Sequence, residues 1–384
     1  MRNVFVLFCA STVATIAVAP AAYAADDAAI AAQIDQSARE AIAAGEAPGL
    51  QVAVYKNGKP LLVKSYGSAD LELNAPVTDD SVFRIGSLTK QFTTAALLKL
   101  QEEGKLSLDD RLSKYFPDFP RAADITLLEM LHHTSGLHNY TDEPDAFTRL
   151  GPVTQTPEDM LRYFKTMPKL LDFEPGTNWN YSNTAYYILG LVVEKVERRP
   201  LAAVFKERFF ARLDMQHTAL DDEAEIVPGR VEGYASTGPG KFANAPFISM
   251  TVPGGAGAMR SSATDLVRRN AALFGGKLLS PASYQAMIAP GRLKAGEKSG
   301  AAIAKASGKP RGDYGMGLFI DDLGGHPKIS HGGGINGFNS SLSEFPRDHI
   351  SVAVLANTIG KGVGAGKIAQ RIERIVLELP SESK

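Results

Sequence analysis

Strand signals fall at the two ends of this chain and helix signals in its middle. Near the start, Leu50 to Tyr55 and Leu61 to Tyr66 are apolar runs around Asn57-Gly58. Asn and Gly tolerate positive φ, so the pair predicts a hairpin turn. Near the end, Phe338 to Phe345 and Ile350 to Ala356 flank Pro346-Arg347-Asp348 as a second hairpin. Tyr314 to Asp321 and Pro327 to His331 also read as strands. Strands joined by hairpins pair antiparallel. From Leu108 to about Met215 the pattern is mostly helical, with proline-rich loops, and Thr184 to Glu197 is a clear helix. Further helices are predicted at Ala28 to Ala44, Leu88 to Glu103, Thr264 to Phe274 and Lys367 to Leu379, and Gly45 and Gly104 stop the first two. Gly291 to Gly312, rich in Gly, Lys and Ala, is expected to be a mobile loop.

The economical architecture is α/β (α+β): an antiparallel sheet built from both chain ends, with helices on both faces, plus an inserted mostly helical domain. The expected division is 25–107 with 226–384 for the sheet domain and 108–225 for the helical one. A length of 384 residues suits two domains.

Charge and cysteine content remove several function classes. The balance of 41 basic and 42 acidic residues leaves −1, so there is no electrostatic case for a nucleic-acid partner or a polybasic membrane binder. Cys9 is the one cysteine, which excludes an intrachain disulfide and a cysteine metal cluster. It lies in an N-terminal pattern of basic start, apolar run from Val4 to Ala19, and small residues ending at Ala22-Tyr23-Ala24. That pattern predicts a secretory signal cut after Ala24, hence an exported, periplasmic or secreted protein without a thiol. No other run is long enough to span a bilayer.

Three short motifs offer chemistry. Ser87-Leu88-Thr89-Lys90 opens an apolar helix, and residues three apart share a helix face, so the Lys90 amine reaches the Ser87 oxygen. A serine hydroxyl becomes a nucleophile when a neighbouring base takes its proton, and lysine is such a base once burial lowers its pKa. Alone the pattern is weak, since Ser381-Glu382-Ser383-Lys384 also matches it at a frayed end. Tyr181-Ser182-Asn183 follows a polar, turn-rich loop and precedes a helix, whereas Tyr55-Lys56-Asn57 matches on a plain hairpin turn. Ser330-His331-Gly332-Gly333-Gly334 places a histidine before glycines that let a ligand approach the backbone. Gly332, Gly334 and Gly337 also fit a dinucleotide pattern, but a strand follows instead of the helix it requires. Adjacent His132 and His133 point apart on a helix and lack a partner motif, so no metal is expected. There is no Gly-x-Ser-x-Gly elbow and no P-loop, and no cofactor is implied.

Taken in order, Ser-x-x-Lys, Tyr-x-Asn and His-Gly-Gly resemble the serine hydrolases related to class C β-lactamases and penicillin-binding DD-peptidases (peptidase family S12). The flanks Phe83 to Asp110, Ile125 to Tyr140, Phe173 to Val196, Pro253 to Leu266 and His331 to Phe338 resemble it too. The resemblance implies that Ser87 is acylated, Lys90 accepts or relays its proton, and Tyr181 acts as general base or acid. It implies that Asn183, His331, Gly332 and Gly333 bind substrate, and that the N–H groups of Ser87 and Gly334 form an oxyanion hole. One departure bears on substrate. Many relatives carry Lys-Thr-Gly or Lys-Ser-Gly where His331-Gly332-Gly333 stands. A partly charged histidine and a missing hydroxyl weaken recognition of a carboxylate. The expected substrate is therefore an ester, amide or D-amino-acid peptide. The alternatives are a β-lactamase or a catalytically slow protein that binds penicillin or peptidoglycan. The sequence indicates no oligomeric state.

Overall fold

The computed structural model describes residues 20–307, 312–360 and 363–381. Of the export signal read over Met1 to Ala24, residues Met1 to Ala19, Cys9 included, lie outside these residues, as do the last three residues of the C-terminal Ser-x-x-Lys match. In chain order the elements that position the site are α1 (Pro20–Ala43), β1 (Gly49–Lys56), β2 (Lys59–Asp70), β3 (Ala75–Pro76), α2 (Thr89–Glu102), α3 (Leu127–Leu131), α4 (Pro157–Thr166) and α5 (Asn183–Glu197). They continue with α6 (Ala263–Phe274), α7 (Gly300–Ser307), β4 (Asp313–Tyr314), β5 (Phe319–Leu323), β6 (His326–Ile335), β7 (Phe338–Phe345), β8 (Ile350–Ala356) and α8 (Ala365–Val376).

The strands form one eight-stranded sheet in the order β3-β2-β1-β8-β7-β6-β5-β4, each neighbouring pair antiparallel. Its centre is made by the two chain ends, with Leu50 opposite Ala356 and Lys56 opposite Ile350. Successive side chains of a strand point to opposite faces, and both faces here are apolar because both are covered. On one face Val52, Val54, Val352 and Val354 pack with Ile34 of α1 and Ile368 and Ile372 of α8. On the other, Ala53, Ala353 and Leu355 join the main core with Phe92 of α2 and Leu266 and Val267 of α6. The apolar stripe of α8 (Ile368, Ala369, Ile372, Val376) has the spacing that keeps one face inward.

Between the two halves of the sheet lie the helices α3, α4 and α5. Their starts are fixed locally. Thr126 with Glu129 and Thr156 with Asp159 make capping boxes at α3 and α4, and the Ser182 hydroxyl accepts the Ala185 N–H at 3.1 Å to open α5.

Several element boundaries differ from the sequence reading. The first helix begins at Pro20, not Ala28. The strand expected over Tyr314 to Asp321 is two short strands, β4 and β5, with Tyr314 opposite Phe319. The break is at Gly317, whose φ of +75° presses the turn onto α2: a Cβ there would sit 2.8 Å from Thr94 Oγ1. Within the expected mobile loop, Gly300–Ser307 is helical, because Ala301 to Lys305 are good helix formers around a buried Ile303. The strand expected to end at His331 runs through its glycines to Ile335.

Candidate active site

Ser87 stands on a tight turn, Gly86–Leu88, immediately before α2. The turn is held from three sides. Ser340 Oγ donates to Ile85 O at 2.8 Å, Ile85 N–H donates to Met259 O at 2.9 Å, and Thr89 Oγ1 donates to Gly86 O at 2.7 Å. Gly86 has φ +52°, and a Cβ there would lie 2.9 Å from both N and O of Gly334. Only glycine lets this turn rest against the β6 backbone.

Lys90 follows one turn later on α2 and is wholly buried. Its Nζ lies 3.1 Å from Ser87 Oγ, 2.6 Å from Asn183 Oδ1 and 2.8 Å from Ala256 O. All three partners are uncharged. Burial without an anion holds the Lys90 ammonium well below the ordinary lysine range. The Tyr181 and Tyr186 rings lie 4.7 and 5.4 Å from Nζ.

Tyr181 sits on the loop ahead of α5, half-buried, with its phenol on the side of Ser87. Burial raises this phenol above its ordinary value, so it is neutral at physiological pH. Asn183 is fixed on three sides: its Oδ1 takes the Lys90 bond, its Nδ2 donates to Thr141 Oγ1 at 3.1 Å, and its N–H donates to Asn139 Oδ1 at 2.9 Å. The amide expected to face substrate is therefore also a clamp on Lys90.

The strand β6 brings His331, Gly332, Gly333 and Gly334 to the same place. Ile335 and Phe338 close a two-residue turn and so exchange both backbone bonds. The next pair, Gly334 with Asn339, is then of the non-bonded type, and the Gly334 N–H points away from β7. On that edge β5 accompanies β6 only as far as Ser330. The N–H is thus aimed at the cleft, beside the Ser87 turn.

His331 differs in charge from its sequence reading. It is buried, its Nε2 lies 3.1 Å from the Tyr314 hydroxyl and its Nδ1 2.6 Å from Gly332 O. Burial, with the Lys90 charge second, brings it down to about 3, so it is a neutral imidazole rather than a partly charged one. The histidine that sequence reading set aside, His133, proves central. It is fully buried at φ +60°, its ring centroid lies 4.4 Å from that of Tyr181, and its carbonyl and Nδ1 accept the N–H groups of Asn180 and Ser182 at 3.1 Å each. It brackets the tyrosine from both chain neighbours. The adjacency of His132 and His133 hid this, since the contacts are long-range. Among the described residues no group of His, Cys, Asp and Glu is placed to hold a metal.

The arrangement gives a serine hydroxyl, a buried amine and a neutral phenol, with the Gly334 N–H beside them. That is the equipment for acyl transfer through a covalent intermediate. Comparison with known proteins places the chain in a family. The family profile described as Beta-lactamase matches residues 34–376. The chain is 27% identical over 327 residues to PbpX of Bacillus subtilis, covering 84% of this chain and 74% of that protein. It is 27% identical over 335 residues to protein Flp of Staphylococcus aureus, covering 85% of this chain and 62% of Flp, less than two thirds of that relative. In structure it matches a D-stereospecific amidohydrolase from Streptomyces sp. with a TM-score of 0.76 at 27% identity, over 91% of this chain and 99% of that one.

Proposed function

The chain belongs to the beta-lactamase family of serine hydrolases, and on that premise we propose that it is an exported hydrolase that acylates Ser87 and takes ester or amide substrates without a carboxylate, D-amino-acid amides among them. The observation that carries this reading is the Lys90 amine, buried among neutral oxygens within bonding distance of Ser87. A neutral amine has two N–H donors and one lone pair. The donors serve Asn183 Oδ1 and Ala256 O, which leaves the lone pair for the Ser87 hydroxyl proton.

As Ser87 Oγ attacks the substrate carbonyl carbon, its proton passes to Lys90. The oxygen that becomes negative accepts the N–H groups of Ser87 and Gly334. Collapse expels the alcohol or amine, which is protonated from Lys90 with Tyr181 as relay. Water then attacks the acyl-enzyme as Lys90 takes its proton, and on collapse Lys90 returns that proton to the departing Ser87 Oγ, which restores the hydroxyl and the neutral amine. The neutral Tyr181 supports a donor and relay role over that of a resident phenolate. Asn183 and the exposed Gly332 line the path of the acyl group, whereas Gly333, expected to bind substrate, is buried against Ile85 and Ser340 and faces away from it, and residues 108–225 form a helical domain over the path.

The neutral His331 supports the choice of substrate. Burial removes the charge that a substrate carboxylate would seek on this strand. The similarity to a D-stereospecific amidohydrolase supports the amide class, and the signal pattern at the N-terminus supports export.

The test is labelling with a fluorophosphonate followed by peptide mass spectrometry. The adduct is expected on Ser87, and Ser87→Ala is expected to abolish both labelling and hydrolysis of nitrophenyl esters and D-amino-acid amides. A folded protein with Ser87 unmodified overturns the mechanism. A chromogenic cephalosporin hydrolysed far faster than the esters overturns the substrate choice in favour of a β-lactamase, and a stable penicillin adduct favours a slow binder.

A further inference from the structure

Tyr314 takes no part in those steps, yet it is fully buried and its hydroxyl sits between two histidines, 3.2 Å from His133 Nε2 and 3.1 Å from His331 Nε2. The protons in this chain can be counted. It begins at the Ser182 backbone N–H, which can only donate, so His133 Nδ1 is an acceptor. A neutral His133 then carries its proton on Nε2 and donates to the Tyr314 oxygen. At the far end His331 Nδ1 faces the Gly332 carbonyl at 2.6 Å, which can only accept, so Nδ1 carries the proton and Nε2 is an acceptor. The Tyr314 O–H fills it. The neighbouring Tyr186 puts no second proton into this chain, because its own goes to Leu131 O at 2.8 Å. One proton lies in each link, and every link has one direction: Ser182 to His133 to Tyr314 to His331 to Gly332.

The two ends of this chain are the two walls of the site. His133 holds Asn180 and Ser182, the residues on either side of Tyr181. His331 and Gly332 lie on β6, three and two positions before Gly334. We propose that Tyr314 is a positioning residue: its hydroxyl is the spacer that fixes the separation between the Tyr181 loop and the oxyanion strand, and it locks His331 as the Nδ1–H tautomer. Its ring is held for this purpose by Phe319 at 4.8 Å and Trp179 at 5.9 Å between centroids, and by Ile303 of α7. The segment after the glycine- and lysine-rich stretch thus bears on the chemistry through hydrogen bonds alone. Its consequence for turnover rests on the hydrolase reading above, whereas the proton wiring does not.

The experiment is nitrogen NMR on the full chain carrying 15N-histidine, with His331→Asn and His133→Asn used to assign the two signals. Expected at neutral pH are His331 as the Nδ1–H tautomer and His133 as the Nε2–H tautomer. His331 protonated on Nε2, or on both nitrogens, overturns the proposal. In parallel, Tyr314→Phe keeps the ring and removes the link. It should lower kcat about tenfold to a hundredfold, below the roughly hundredfold or more seen on deleting an oxyanion donor. KM should stay within about threefold, and the His331 signal should leave the pure Nδ1–H position. An unchanged kcat, or a rise in KM alone, overturns the positioning role. If Tyr314→Phe does not fold, the wild-type spectrum decides. The two readings fail separately: hydrolysis by Ser87→Ala sinks the acyl-enzyme but leaves the tautomers, and wrong tautomers in an enzyme that needs Ser87 sink only this inference.

Discussion

Arg84 and Ser87 lie on one turn of chain, and the buried charges on either side of that turn are treated in opposite ways. On the Arg84 side, the Asp221 carboxylate is buried and held by Arg84 at 2.8 Å, Arg230 at 2.9 Å and Arg260 at 3.1 Å, and Arg260 also reaches Glu225 at 2.7 Å. On the Ser87 side, Lys90 is buried at least as deeply and meets only neutral oxygens. Where burial comes with an opposite charge, the cluster is a clamp. Where it comes without one, the cation gives up its proton and becomes a base. The clamp secures the short sheet Phe83–Arg84, Met259–Ser261 and Ala219–Leu220, from which the nucleophile turn springs. Structural and chemical use of a buried cation here differ by the presence of a carboxylate.

That contrast can be attacked directly, in order of the effect expected on turnover. Lys90→Met removes the base and keeps the apolar bulk. It should cost about 10²–10⁴-fold in kcat/KM on nitrophenyl esters, the usual range for a general base, and a loss under tenfold would remove Lys90 from the mechanism. Asn183→Asp places a carboxylate where Oδ1 now lies, 2.6 Å from Nζ, and turns the base into a clamp. The acid limb of the pH–rate profile should move up by about one to three units, with turnover at neutral pH reduced accordingly. A profile that does not move would show that the missing anion is not what makes Lys90 a base.

A third outcome concerns pH in the unmodified protein. The folded Lys90 pKa lies below its unfolded value, so between the two the unfolded chain holds one more proton. Stability from this group therefore increases with pH and is lost as pH falls towards the folded pKa, and activity is lost on the same descent. Urea midpoints across a pH series should show a slope that Lys90→Met removes, and an unchanged slope would count against it. The smallest effect on turnover comes from the other side of the turn. Asp221→Asn leaves three arginines short of their anion and should cost about 3–5 kcal/mol of stability. Its kcat, measured well below the melting point, should stay within about threefold. A large loss of kcat with little loss of stability would mean that the clamp also acts on the chemistry.

The legible parts of the molecule were those written in local spacing. Ser87 with Lys90 is a one-turn pattern, Asn57-Gly58 is a turn chemistry, and Thr184 to Glu197 is a periodicity. Each can be read within a few residues, and a helix or hairpin forms for reasons contained there. What was not legible depends on distant partners. His133 matters through Tyr314, which is 181 residues away in sequence, and Asp221 matters through Arg84, 137 residues away. No window contains either pair. The charge of His331 also could not be read, because a histidine next to glycines looks exposed until β6 and the aromatic rings of Tyr314 and Phe319 enclose it. The helix at Gly300–Ser307 was masked by the flanking Gly and Lys composition. It is stabilised by Ile303 packing on Trp179 and Tyr314, which is again a tertiary fact.

The middle of the sheet has a consequence for how the protein comes into being. The pairing of β1 with β8, and the bond from the Gly49 N–H to Asn357 Oδ1 across 308 residues, join the first strand of this sheet to its last in chain order. Synthesis delivers Ser87 and Lys90 early, but the strand that completes the sheet beneath them arrives almost at the end of translation. Contacts of such span close slowly, and until they do β1 is an apolar strand without its neighbour. Loss of the residues from Ile350 onward therefore removes a central strand of the sheet, not an edge.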